Sequence, residues 1–253
     1  MKINVEKIVN LLFDAENSIM DVYKKNNFQK WNKDDKSPLT EADLKSSLII
    51  CNALKEWGGG DGIICEEEKN IEWDERKDWE WVWLVDPLDG TKEFLKRNGQ
   101  FTTNIGLVKN GECWAGFVGL PCESVVYSAI KGEGVWKWYK DGTKEQILNK
   151  ERDKGLVRVV ASNSHMNDAT SLFIKEIKEK VELVNVGSSL KFLWLIEGKA
   201  DVYPRIAPTM EWDTCAAQCI LEEYGGKCLV FGKESKVKYN KENLLNPFFI
   251  ASV

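Results

Sequence analysis

The stretch WLVDPLDGTKEF, Trp83 to Phe94, sets two aspartates three residues apart around a proline and runs into Gly-Thr. A continuous helix would place Asp86 and Asp89 on one face, but Pro87 inside it costs roughly 3 kcal/mol, and the residue before a proline is pushed towards extended geometry. The spacing therefore predicts a strand over WVWLV that stops at Asp86. A turn follows in which Gly90 allows close backbone approach, and Thr91 then opens a short helix that Asn98-Gly99 ends. Two carboxylates about 4 Å apart repel by roughly 4 kcal/mol at an effective dielectric near 20, so a positive charge belongs between them. The plainer reading has Asp86 ending a strand and Asp89 capping a helix, each satisfied by backbone N–H groups.

Further acids surround that stretch in the sequence. Glu66, Glu67 and Glu68 follow the strand-like GIIC, and Asp213 opens a helix in MEWDTCAA. Glu67 and Glu68 read as a solvated face. With one histidine in the chain, His165, an oxygen-rich site is the polyvalent-metal site these residues can build, and hard oxygen ligands favour magnesium or manganese over zinc.

Upstream, Val5, Ile8, Val9, Leu12, Ile19 and Val22 follow helical spacing, and Thr40 with Asp43 resembles a capping box opening a second helix to Trp57, which GGGDG breaks. From Gly62 short β-type runs separated by turn signals predict an antiparallel meander. After about residue 150 the pattern alternates: strand LVRVVAS, helix SLFIKEIKEKV, strand ELVNV, helix LKFLWLIEG, strand ADVYPR and helix TCAAQCILEEY. That rhythm implies crossover connections and a layered α/β region. The expectation is two lobes, residues 1–150 with the antiparallel sheet and main acidic site, and residues 151–253 completing it.

The chain has 253 residues, of which 43% are hydrophobic, enough for a substantial core. Its net charge of -5 and scattered lysines disfavour a cationic face for nucleic-acid polymers. No long apolar run or leader-like N-terminus appears, so the chain reads as soluble, with no membrane partner. Seven dispersed cysteines without a C-x-x-C pair suit a reducing cytoplasm, and Cys215 and Cys219, four apart on one helix face, read as small apolar fillers.

WLVDPLDGTKEF followed by KRNGQFTTNIGLV, with SPLTEAD upstream, EEE at a strand end, GSSLKF later and EWDTCAA near the C-terminus, resembles the inositol monophosphatase superfamily of metal-dependent, lithium-sensitive phosphatases. Within it, Lys-Glu-Phe after Asp-Gly-Thr and the following KRNG look like the CysQ-type 3'(2'),5'-bisphosphate nucleotidases. The resemblance runs from about Val5 to Asn246 and implies a layered α-β-α-β-α sandwich. It implies that Glu66, Asp86, Asp89, Asp213 and the carbonyl of Leu88 bind divalent metal. It further implies that Asp43 lies near a third, weaker ion and the attacking water. Thr91 would orient or deprotonate that water, and the N–H groups of Gly90 and Thr91 would receive phosphate.

The implied activity is removal of the 3'-phosphate of 3'-phosphoadenosine 5'-phosphate to give AMP, with two or three Mg2+ ions, Mn2+ as a substitute and Li+ as an inhibitor. Ser188, Lys191 and Arg205 match positions that line the nucleotide pocket, where a second, uncleaved phosphate needs counter-charge. His165 resembles a residue near the adenosine, although a lone histidine is as readily structural. Lys92 and Arg97 read as solvated. Cys65 stands where Ser or Gly commonly precedes the metal glutamate, and APTMEWDT departs from the usual residues before the last metal aspartate. An inositol or other sugar phosphatase of the same superfamily, and a catalytically silent nucleotide sensor, stay open, as does the choice between monomer and homodimer.

Overall fold

The structure, a computed structural model, describes residues 3–33, 37–69, 71–149, 152, 155–161 and 167–253. Helix α1 (Val5–Tyr23) begins where the Asn4 side chain accepts the Lys7 N–H, and it buries Ile8, Val9, Leu12, Ile19 and Val22 on one face. The polar connection after it contains a two-stranded antiparallel ribbon, β1 (Lys30–Asn32) and β2 (Pro38–Thr40). Thr40 then caps α2 (Glu41–Trp57) in a complete capping box with Asp43, and Gly58 ends the helix at a positive φ of 68°.

The first sheet has seven strands in the order β3 (Gly62–Cys65), β4 (Trp81–Asp89), β5 (Thr102–Lys109), β6 (Glu112–Leu120), β7 (Val125–Ile130), β8 (Gly134–Tyr139) and β9 (Lys144–Ile147). From β4 onward neighbours pair antiparallel, as the meander reading expects. The β3–β4 pair does not: it is parallel, with Cys65 opposite Val85, because the chain returns through a crossover that carries the short helix α3 (Trp73–Arg76). Strands β8 and β9 carry the chain beyond the expected runs, with Trp138 buried on β8. Helix α4 (Thr91–Leu95) joins β4 to β5.

The second sheet orders as β11 (Lys180–Asn185), β10 (Leu156–Ala161), β12 (Val202–Arg205), β14 (Phe249–Ser252) and β13 (Lys227–Val230). Strand β10 pairs parallel with both β11 and β12, as the crossover pattern demands, while β14 runs antiparallel to β12 and β13. Helix α5 (Asp168–Glu176) starts and ends earlier than its sequence pattern suggests. Asn167 caps it by accepting the Thr170 N–H, and Ile177 is already extended, so Lys180 and Val181 belong to β11.

Layering follows from which side chains are small. Helices α1 and α2 cover one face of the first sheet, with Leu12, Ile50 and Leu54 against Trp83, Ile105 and Phe117. Helix α7 (Cys215–Tyr224) lies on the other face, where Gly106 and Gly116 leave room for its backbone. A Cβ on Gly116 would stand 2.0 Å from the Ala216 carbonyl oxygen. Helix α6 (Leu190–Ile196) joins α7 between the sheets, in a core containing Leu193, Ile220, Val118, Tyr127, Tyr203 and Phe249. The largely exposed α5 lies against β12 and completes the α-β-α-β-α stack. No helix among the described residues is long and apolar enough to cross a membrane.

Candidate active site

Strand β4 does not stop at Asp86. Pairing with β5 holds to Asp86 opposite Asn104, skips two residues as a bulge, and resumes with Asp89 opposite Thr102. Proline is tolerated because it lies in the bulge, where the ladder asks no N–H of it; its carbonyl accepts from Ser46 Oγ at 2.9 Å and Thr103 Oγ1 at 3.1 Å, while the Leu88 N–H turns back to Asp86 Oδ1 at 3.0 Å. Gly90 follows with φ 95°, and a Cβ there would sit 3.0 Å from the Gln100 carbonyl oxygen.

Three chain segments bring acids to this bulge. Carboxylate oxygens of Glu66, just past β3, of Asp86 and of Asp213, just before α7, lie within 4.8 Å of one another. Asp89 stands beside them, and its Oδ2 accepts from Ser188 Oγ at 2.7 Å and from the Ser189 N–H at 2.6 Å. Asp213 is held by Thr209 Oγ1 at 2.6 Å and the Met210 N–H at 2.9 Å.

The acids of this cluster disfavour one another's charged forms. Burial, followed by repulsion from Glu66, Asp89 and Asp213, pushes Asp86 well above the usual carboxylate range. Burial and repulsion from Asp89 and Glu66 push Asp213 up to about 7. Carboxylates so placed ionise together only around positive charge, and an all-oxygen donor set suits a hard divalent cation. The residues present therefore fit such an ion.

Asp43 joins the site while also capping its helix. Its Oδ2 accepts the Thr40 N–H at 2.8 Å and the Thr40 hydroxyl at 2.5 Å, and its Oδ1 accepts the Thr91 hydroxyl at 3.0 Å. Burial raises its pKa against those hydrogen bonds. The capping and functional readings of Asp43 are thus compatible: one oxygen serves the helix and the other faces Thr91. The Thr91 hydroxyl also lies 3.4 Å from the Leu88 carbonyl oxygen.

Two cavities meet over the acids, of about 330 and about 120 Å³, sharing Asp89, Gly90, Glu93 and Asp213. The larger is floored by Glu66, Asp86 and Thr91, and the smaller is walled by Ser188, Lys191, Tyr203 and Arg205. Lys191 is 5% exposed and donates to the Ser188 carbonyl at 2.9 Å. Burial lowers its pKa to about 8, with Asp89 acting in the opposite sense. Arg205 reaches the Pro208 carbonyl at 2.5 Å, but its Nε is buried with no partner among the described residues. A larger cavity, about 630 Å³, lies by Ile3, Trp136 and Trp138, away from the acidic cluster, so volume alone does not find the site.

The structure thus brings together Asp43, Glu66, Asp86, Leu88, Asp89, Gly90, Thr91, Ser188, Lys191, Arg205 and Asp213 around one cleft. His165 lies outside the described residues. Glu67 is not a solvated residue: its side chain is 5% exposed, and Lys33 donates to it and to Glu66 at 2.7 Å each. Burial pushes Glu67 up to about 7 even so, and the two glutamates hold Lys33 charged against the cost of its own burial. Glu68 behaves as expected, pairing near the surface with Lys55. Arg97 is not free in solvent either, since it donates to the carbonyls of Tyr23 and Lys25 at the end of α1. Lys33 sits beyond any run that marks it in sequence; only the ribbon β1–β2 carries it to Glu66.

Residues 4–247 match the family described as "Inositol monophosphatase family". The chain is 36% identical over 250 residues, 98% of its length and 99% of the relative's, to the 3'(2'),5'-bisphosphate nucleotidase CysQ of Salmonella typhimurium. It is 38% identical over 224 residues, 88% of its length and 83% of the relative's, to the protein of that name from Buchnera aphidicola. A crystal structure of CysQ from Bacteroides thetaiotaomicron superposes with a TM-score of 0.87 at 37% identity, covering 100% of this chain and 99% of that one.

Proposed function

The chain belongs to the inositol monophosphatase family, and from that premise we propose that it is a Mg2+-dependent 3'(2'),5'-bisphosphate nucleotidase. It removes the 3'-phosphate of 3'-phosphoadenosine 5'-phosphate, leaving AMP and phosphate. The observation that carries this reading is the pairing of opposite charges across one cleft. A floor of Glu66, Asp86, Asp89 and Asp213 suits metal ions and the scissile phosphate. A wall holding Lys191 and Arg205 suits a second anion that is not cleaved.

Two or three Mg2+ ions, replaceable by Mn2+, would be held by Glu66, Asp86, the Leu88 carbonyl, Asp89 and Asp213. Such ions lower the pKa of water, polarise phosphoryl oxygens and neutralise a leaving alkoxide. The chain's own contribution to water attack is the Thr91–Asp43 pair. The Thr91 hydroxyl donates a hydrogen bond to Asp43 Oδ1, which leaves the Thr91 oxygen's lone pairs free to accept from a water on the cavity side. Burial makes Asp43 a better proton acceptor than an ordinary aspartate. Gly90, with no side chain, lets phosphate approach the backbone there.

Ser188 fixes Asp89, and Lys191 and Arg205 orient the 5'-phosphate. The sequence divides functionally into residues 1–150, with most of the acids, and 151–253, which adds Asp213 and the cationic wall. The partner is a small phosphorylated nucleotide, acted on by a cytoplasmic monomer or homodimer, with no nucleic-acid polymer or membrane involved.

Phosphate release measured from the bisphosphate nucleotide and from inositol 1-phosphate, with and without Mg2+, tests the reading. Mg2+-dependent release favouring the nucleotide, inhibited by Li+, is the expected result. Preference for inositol 1-phosphate would make this a sugar phosphatase, and tight nucleotide binding without release would make it a sensor.

A further inference from the structure

We propose that Glu93 is a specificity-determining residue that accepts a hydrogen bond from the substrate hydroxyl next to the scissile phosphate, the ribose 2'-OH. The proposal rests on the nucleotidase reading above and deepens it.

Glu93 follows the Gly90-Thr91 turn on α4 and lines both cavities, at the seam between the acidic floor and the cationic wall. Its stem is wedged in place. A Cβ on Gly187 would lie 2.8 Å from Glu93 Cγ, so the bare backbone there makes the room it occupies, and the Gly187 N–H is itself tied to Gln100 Oε1 at 2.9 Å. The same Gly187–Ser189 turn holds Asp89, so Glu93 and the site acid share one support.

The carboxylate accepts no hydrogen bond among the described residues. Its ion-pair partner is Lys96 at 3.8 Å, a residue with 60% of its side chain exposed, and a pair of that kind contributes little. Lys191 feels Glu93 across the smaller cavity.

A carboxylate between two phosphate subsites repels a molecule that presents only anions. Glu93 also lines the cavity over the acidic floor, so it becomes favourable when the substrate places a hydrogen-bond donor directly beside the scissile phosphate. A ribose 3',5'-bisphosphate does so through the hydroxyl vicinal to the 3'-phosphate. A site built to bind a hydroxyl discriminates strongly against the analogue lacking it, because the acceptor is then left unpaired.

The test is a two-by-two cycle of enzyme and substrate. Mg2+-dependent kcat/KM is measured for adenosine 3',5'-bisphosphate and its 2'-deoxy analogue, with wild type and with Glu93→Ala, and Glu93→Gln serves as the conservative variant. Hydrogen bonds to a charged acceptor predict a wild-type preference for the ribo substrate of about tenfold or more. Glu93→Ala should reduce that preference to about threefold or less, and Glu93→Gln should retain an intermediate value.

Thermal melts establish that the variants are folded. A wild-type ratio near one, or a ratio unchanged in Glu93→Ala, overturns the role of Glu93 while leaving the nucleotidase reading standing. Absence of wild-type turnover of both nucleotides overturns the two together.

Discussion

Removing divalent cations should make the protein less stable as pH rises from 5.5 to 7.5, the reverse of what paired carboxylates ordinarily do. Asp213 carries a folded-state pKa of about 7 against an unfolded value of 3.8. A raised carboxylate pKa means that the folded state binds the proton more tightly. Its contribution is therefore fully present below about pH 4 and is lost as pH climbs through about 7. Each pH unit in that window is worth about 1.4 kcal/mol per proton, so the step from pH 5.5 to 7 removes about 2 kcal/mol.

Asp213 borders a water-accessible cleft, and screening brings the expected loss to about 1–2 kcal/mol. For a domain of this size that corresponds to a fall in Tm of roughly 3–6 °C. The assay is a series of thermal melts across the window, in EDTA and in millimolar Mg2+. Cations compete with protons for these carboxylates, so the Mg2+-induced rise in Tm should grow with pH. Asp213→Asn should flatten the EDTA series. A Tm in EDTA that stays level or rises from pH 5.5 to 7.5, or a Mg2+ shift larger at the acid end, would refute the reasoning.

Asp89→Asn should lower turnover by at least about 100-fold while leaving Tm within a few degrees, since the amide oxygen can still accept the Ser189 N–H but the charge is gone; steady-state kinetics beside a melt decide it. Lys191→Met should raise KM for the bisphosphate nucleotide by about tenfold and act far less on a nucleoside 3'-monophosphate, because only the former brings a second anion to the cationic wall. Gly116→Ala should destabilise the fold by about 1–3 kcal/mol and weaken Mg2+ binding, since relieving a 2.0 Å clash with the Ala216 carbonyl moves the start of α7 and with it Asp213; denaturant melts and Mg2+ titration report the two effects.

Local rules read from the sequence located most elements and most of the site. The Thr40–Asp43 box opens α2 where its spacing says, and the apolar face of α1 is buried as its period requires. What escaped is what tertiary partners supply. Pro87 stays within β4 because a bulge there asks no N–H of it, and Ser46 and Thr103, 41 and 16 residues away, take up the carbonyl the bulge leaves out of the ladder. Glu67 is buried because a ribbon in the connection between α1 and α2 folds Lys33 back onto it. Nothing in the sequence ties Glu93 to Gly187, 94 positions later, whose bare backbone leaves room for it. No sequence signal marks Arg76 as buried, yet it is 3% exposed and donates to Asn240 and to the carbonyls of Lys241 and Glu242.

The misread pairing of β3 with β4 is the difference on which the site depends. In an antiparallel meander the end of β3 would meet the beginning of β4, and Glu66 would lie near Trp81, five strand residues or about 17 Å from Asp86. The parallel register instead sets Cys65 opposite Val85, and the Glu66 N–H bonds to the Val85 carbonyl at 3.1 Å, so the next residue on each strand is an acid. The crossover through α3 is therefore what turns two separate acidic positions into neighbours. Helix α7, admitted by Gly106 and Gly116, brings Asp213 to the same strand ends from the other side of the sheet. Acids from three separated segments then repel one another at close range, and the fold holds them there because the bulge at Pro87 ties down Asp86, the Gly187–Ser189 turn holds Asp89, Lys33 holds Glu66, and Thr209 with the Met210 N–H holds Asp213. Such a construction stores unfavourable charge in the free protein and releases it on cation binding, which is the property a metal-dependent phosphatase needs from its scaffold.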